Sequence, residues 1–191
     1  MLPRAAIEPG WTCYSVGAGA DISFDLELMQ RYDMRVRCVD PVQEYVDAAL
    51  ASAFGETRFT ACRAAIAASD GPLRMQQTHH PGSRSLSAAQ LYDTRDFVEI
   101  PGRTLPSLMA ELGDERVDLL KLDIEGAEYE VLPTLDLRAL GVKVFATQLH
   151  HNGSVAAARA LIAGLNADGY ELVAILPPVR LTFLRRELLE R

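Results

Sequence analysis

Short apolar runs alternate with stretches of helical periodicity from about residue 11 onward, and this alternation constrains the fold more than any other feature of the chain. A strand followed by a crossover helix returns to its sheet in parallel, so repeated strand–helix units build a mostly parallel sheet with helices on both faces. The pattern predicts strands over 13–17, 35–39, 58–66, 117–124, 142–149, 170–176 and 181–184. Helices are predicted over 23–32, 42–54, 105–112, 129–135 and 155–167. The last two strands flank Pro177 and Pro178, a tight turn that makes them an antiparallel hairpin. The expected architecture is therefore doubly wound α/β: a seven-stranded, mostly parallel sheet with one antiparallel strand. With 191 residues and no repeat or linker, one domain over 1–191 is the economical count. Between strands three and four, 67–77 reads as a turn and a short extended piece, 78–87 as a mobile loop, and 97–100 as an edge strand.

Net charge −7 argues against partners bound through phosphates, since the only basic cluster, Arg185 with Arg186, has acidic neighbours. A small-molecule acceptor is expected instead, and no nucleic acid. No run approaches the roughly 20 apolar residues that span a bilayer. The N-terminus lacks the apolar core of a signal peptide, so no membrane association and a cytoplasmic location are expected. Cys13, Cys38 and Cys62 have neither a zinc spacing nor a disulfide pattern and read as small hydrophobes in a reducing compartment.

Two segments carry chemistry. In the first, Val16 runs into Gly17-Ala18-Gly19 and then a helix. Such a turn brings backbone close to a ligand and offers it unpaired amides and a positive helix end. A dinucleotide pyrophosphate or the carboxylate of a methionine moiety would each suit. Ile22 stands where the dinucleotide fingerprint has its third glycine, and Asp21 at the loop mouth would repel a pyrophosphate but accept a bond from an amino group. Asp40, about 20 residues on, is placed to bond both ribose hydroxyls, or to cap the next helix. Asp25, in the first turn of the first helix, reads as an acid complementing its dipole.

In the second segment, Leu120-Lys121-Leu122-Asp123-Ile124-Glu125-Gly126-Ala127-Glu128, a period of two puts Lys121, Asp123 and Glu125 on one strand face. They converge at the carboxyl end of a central strand, where open α/β sheets bind ligands. An internal Lys121–carboxylate pair with Glu128 as a helix-start acid is the plainer alternative. Three carboxylates so close could hold a divalent metal, but nothing else in the sequence demands one and none is expected. His150 and His151 fall at the same sheet edge, where His150 could act as general base, because histidine titrates near neutrality. His79 and His80 sit in the loop and read as exposed.

On these two segments the chain resembles the FkbM family of methyltransferases, more closely its branch similar to methyltransferase-like protein 24, over about residues 10–176. The Lys-x-Asp-x-Glu-Gly-Ala-Glu string is the specific part. The resemblance implies a Rossmann-like class I methyltransferase, S-adenosyl-L-methionine as cofactor, and methylation of a hydroxyl, on a small molecule or sugar. On it, Gly17, Gly19, Asp21 and Asp40 hold the cofactor, and Asp123, Glu125 or His150 positions and deprotonates the acceptor. The chain departs from relatives after strand five. They often carry Glu-x-His, whereas here the run is Gln148-Leu149-His150-His151. The short N-terminal extension implies a substrate lid that is missing or borrowed from a second subunit, as in a homodimer. Two other functions stay open on the same architecture: a nicotinamide-dependent oxidoreductase, and a noncatalytic scaffold that binds cofactor without turnover.

Overall fold

A computed structural model describes residues 6–77, 85–89 and 96–189. The chain runs β1 (Thr12–Val16), α1 (Ser23–Tyr32), β2 (Arg35–Asp40), α2 (Gln43–Ser52), β3 (Phe59–Arg63), β4 (Ala65–Ile66), β5 (Gly71–Gln77), β6 (Leu86–Ser87) and β7 (Phe97–Arg103). It continues through α3 (Leu105–Leu112), β8 (Leu119–Leu122), α4 (Glu128–Val131), β9 (Val144–Gln148), α5 (Val155–Ala167), β10 (Tyr170–Leu176) and β11 (Arg180–Arg185). Seven strands form the main sheet in the order β10-β11-β9-β8-β1-β2-β3. Neighbours from β9 to β3 are parallel, while β11 lies between β9 and β10 and is antiparallel to both. The doubly wound sheet and its closing hairpin are as the periodicity predicts.

Side chains alternate between the two faces of this sheet. Cys13, Val36, Leu119 and Val144 point to the face that also buries Leu28 and Met29 of α1 and Ala49 of α2. Tyr14, Val39, Leu120 and Phe145 point to the other, against Leu105 and Leu108 of α3 and Leu165 of α5. The central strands are thus buried on both sides, which is why they read as unbroken apolar runs. α3 starts on Thr104, whose hydroxyl accepts the Ser107 amide at 3.3 Å, and ends on Gly113 at φ 72°.

The region between β3 and α3 departs from expectation. The predicted single strand over 58–66 is two strands, because the chain leaves the main sheet after β3 and enters a second, four-stranded sheet of order β4-β7-β5-β6. There β7 is internal, not an edge strand: it pairs parallel with β4 and antiparallel with β5. The small sheet has its own core, where Ala65, Met75, Leu86 and Ile100 pack on Val42. Part of the predicted loop is ordered too, since Leu86 and Ser87 pair with Gln77 and Gln76. His79 and His80 lie outside the described residues.

One buried ion cluster ties α3 to the main sheet. Asp114, just past the helix, accepts from Tyr14 Oη at 2.8 Å and from Arg37 Nε and Nη2 at 2.7 and 2.9 Å. Burial alone would push the Asp114 carboxyl up, but the bonds from Arg37 and Tyr14 outweigh it and hold its pKa below the ordinary value. A depressed carboxyl stabilises the fold above its unfolded pKa and loses that contribution as pH falls through the folded one. We expect Asp114→Ala, which leaves the half-buried Arg37 unpaired, to cost about 3 kcal/mol at neutral pH. The difference from the parent should shrink as pH falls below about 4, measured by urea unfolding across pH.

Candidate active site

The glycine turn is bent by contact with its neighbour strand. Gly17 adopts φ 70°, and a Cβ there would lie 1.7 Å from the backbone oxygen of Asp123. Only glycine lets the β1 and β8 loops approach so closely. The Asp123 amide donates to the Val16 carbonyl at 3.1 Å, Gly17 donates to Val39 at 2.8 Å, and Lys121 Nζ donates to the Gly17 carbonyl at 3.0 Å. Lys121 is therefore a brace for the glycine loop. Asp25, in the first turn of α1, is 1% exposed, and burial pushes its carboxyl up.

Asp40 is held by two backbone amides. Its Oδ1 accepts the Val42 amide and its Oδ2 the Gly19 amide, each at 2.9 Å. It braces the turn before α2 and fixes the glycine loop, and its carboxylate also forms part of a cavity wall. Burial raises its pKa, against the pull of those two amides. Asp21 is placed differently from the expectation. It is exposed, its Oδ1 accepts the Ser23 amide at 2.9 Å, and it lies outside the cavity lining. That amide bond holds its carboxyl below the ordinary value, as suits a helix start.

Two cavities open at the carboxyl ends of the strands. The first, about 210 Å³, is walled by Gly17, Gly19, Asp40 and Glu125, with apolar sides from Ala65 and Leu86 of the small sheet. The second, about 480 Å³, lies over Lys121, Thr147, Gln148 and Arg180. Gly17, Ala18 and Asp123 line both. Arg180 Nε donates to Gln148 Oε1 at 3.0 Å, so the residue that departs from the family pattern orients an arginine at the second cavity.

The predicted shared strand face breaks down beyond Asp123. β8 ends at Leu122, and Glu125 turns back through a left-handed conformation at φ 50°. The turn nonetheless gathers the acids. His150 Nε2 lies 3.4 Å from Glu125 Oε2 and 3.8 Å from Asp123 Oδ1, while Nδ1 lies 2.9 Å from Glu128 Oε1. Glu128 is fully buried, and its Oε1 also accepts the Ile124 amide at 3.1 Å. The sequence left Glu128 as a helix-start acid, because the histidine that takes it inward comes 22 residues later. His151 is exposed.

The histidine is not poised near neutrality. Burial alone would lower its pKa, but hydrogen bonds to Glu125 and Glu128 outweigh burial and hold it up at about 10. The Asp123 carboxyl is raised as well: burial pushes it up, against the pull of Lys121 and His150, and makes it a better base than an ordinary carboxylate.

The family model described as Methyltransferase FkbM domain matches residues 15–172. No curated protein matches the chain by sequence, so the narrower likeness to methyltransferase-like protein 24 has no support beyond the motifs. Among solved structures, the chain is similar to the fibrillarin pre-rRNA processing protein of Methanococcus jannaschii (13% identity, TM-score 0.56, 97% of this chain and 70% of that one). It is similar to precorrin-6y C5,15-methyltransferase from Geobacter metallireducens GS-15 (12% identity, TM-score 0.52, 94% of this chain and 82% of that one). It is also similar to TrmK of M. capricolum in complex with S-adenosyl-homocysteine (11% identity, TM-score 0.50, 95% of this chain and 66% of that one). At such identities the likeness is one of fold.

A raised histidine pKa stabilises the fold fully below the unfolded value and loses that contribution as pH rises through the folded one. We expect the His150 ring, followed by NMR in chelator-treated protein, to show no titration between about pH 6 and 8. Stability contributed by His150 should decline only as pH approaches about 10. A midpoint near the ordinary histidine value would contradict the assignment.

Proposed function

This chain belongs to the FkbM methyltransferase family, and from that premise we propose that it transfers a methyl group from S-adenosylmethionine to a hydroxyl of a small molecule or sugar, acting as one domain over 1–191. The observation that carries this reading is the position of Asp123 where two cavities meet. One cavity suits the donor, the other an acceptor, and the transfer of a methyl group needs the two aligned end to end.

The first cavity fits the donor. Gly19 sits at φ 68° with nothing within 4 Å of where a side chain would start, leaving room beside the loop. Ala65, Ile66 and Val42 offer an apolar slot for a flat base. Asp40 has carboxylate lone pairs left for hydroxyls after accepting its two amides. Asp40, Asp123 and Glu125 give the wall a negative character that suits a sulfonium. When bound, the cofactor supplies an electrophilic methyl group. Gly17 and Gly19 would hold its methionine end and Asp40 its ribose. Asp123 would accept the bond, and then the proton, of the acceptor hydroxyl. Glu125 and His150 position Asp123, the imidazolium attracting both carboxylates. Asp21, at the loop mouth, is left with a helix-start role.

Against a nicotinamide cofactor stands Ile22, which is 4% exposed and packed in the core where the dinucleotide fingerprint needs its third glycine. An RNA acceptor is the second reading, favoured by the fold shared with a pre-rRNA processing protein. The net charge of −7 opposes it. No helix among the described residues is long and apolar enough to cross a membrane. A cytoplasmic location belongs to the proposal, in keeping with three free cysteines.

Titration calorimetry with S-adenosylhomocysteine and with NAD should give heat only for the first. With labelled methyl donor, a panel of sugar, polyketide, lipid-headgroup and peptide hydroxyls, plus an RNA arm, identifies the acceptor. On the acceptor found, Asp123→Asn should lower kcat on the order of 100-fold while leaving the fold intact. S-adenosylhomocysteine binding with no methylation anywhere on the panel would favour the scaffold reading.

A further inference from the structure

The cluster behind Asp123 is richer in donors than a base needs. Asp123, Glu128 and His150 each present a ligand atom, all within 4.8 Å of one another, and Glu125 Oε2 lies 3.4 Å from His150 Nε2. Three carboxylates face one imidazole. Even with the ring protonated, the group of four carries a net charge of about −2.

Glu128 supplies a second, independent observation. It is fully buried, its Oε1 is turned into the cluster by the bond to His150, and its Oε2 has no hydrogen-bond partner among the described residues. A buried carboxylate oxygen left bare is costly, and native proteins rarely keep one without an ion or water to meet it. The His150 ring sits among these donors: Nδ1 lies 2.9 Å from Glu128 Oε1, and Nε2 faces Asp123 and Glu125, with Gln148 Nε2 3.4 Å away.

We propose that Asp123, Glu128 and His150, with Glu125 at the rim, form a binding site for one divalent cation of the Mn²⁺ kind. Oxygen donors with a single imidazole and no thiolate suit that class of ion. The ion takes the place of the proton on His150 and neutralises the excess negative charge more fully than the proton does. Because Asp123 also lines the second cavity, the ion sits within reach of an acceptor's oxygen. That consequence, unlike the cation site itself, rests on the methyltransferase reading.

The test is titration of chelator-treated full-length protein with Mn²⁺, following the free-ion signal by electron paramagnetic resonance and the Tm in parallel. The expected result is one saturable site and a Tm that rises with Mn²⁺. His150→Ala should abolish both, and Glu128→Gln, which keeps the side-chain shape, should weaken binding at least about ten-fold. Circular dichroism checks that each variant is folded. If His150→Ala does not fold, Glu128→Gln decides alone. Absence of saturable binding, or binding equally tight in Glu128→Gln, overturns the proposal and leaves the cluster as an internal ion-pair network. S-adenosylhomocysteine calorimetry on the same samples separates the two claims. Cofactor binding without Mn²⁺ binding removes only the cation site, and Mn²⁺ binding without cofactor binding removes only the methyltransferase reading.

Discussion

The backbones of Gly17 and Asp123 meet directly, and the rest of the site is arranged around that contact. β1 and β8 are adjacent parallel strands, so their loops leave the sheet side by side. Any Cβ at Gly17 would collide with the Asp123 carbonyl, and Lys121 bonds the Gly17 carbonyl as well. The glycine loop and the acidic loop therefore form one rigid unit. From it, Asp40 reaches the glycine loop through the Gly19 amide, and Asp123 is held where both cavities can use it. The Lys-x-Asp spacing has a mechanical meaning: Lys121 faces back to hold the glycine turn, and Asp123 follows where the strand has ended.

The carboxyl edge of the sheet concentrates acids, and their costs are met unevenly. Asp40 is buried but accepts two backbone amides, so its charge is largely satisfied. Asp123 has fewer partners, and burial raises its pKa. Glu128 is fully buried and relies on His150 and one amide. The group nearest the cavities is thus the one whose proton affinity is most useful. The groups behind it are locked in place by hydrogen bonds. The histidine lies among several carboxylates, and it holds the acidic loop to the end of β9.

Much of this was legible in the sequence. Apolar runs buried on both faces gave themselves away by length, and the helices α1, α3 and α5 run over the residues that periodicity assigns them. Glycines 17 and 19 and Asp40, singled out by the spacing of small residues and a following acid, stand together at one cavity. The bond of Asp21 to the Ser23 amide was not singled out, because a carboxylate at a loop mouth serves a helix start as well as a ligand. The setting of His150 was less legible. Its ordinary pKa is a property of water, and the sequence does not reveal that Glu125 and Glu128 fold back to surround it. The small sheet was missed because β4 and β6 are only two residues long each, below the length at which alternation can be read.

That small sheet links the roof of the first cavity to its floor. Ser87, buried in β6, places Oγ 2.5 Å from the carbonyl oxygens of Glu125 and Ala89, and its single proton serves one of them at a time. Glu125 is also the residue held at positive φ, a conformation that a non-glycine residue adopts at a cost of roughly 1–3 kcal/mol. Packing of Leu86 and Met75 against Val42 offsets part of that cost by burying apolar area, and it presses β6 down onto the acidic loop. The strained turn that brings Glu125 to His150 is therefore sustained by a sheet whose apolar residues also wall the cavity.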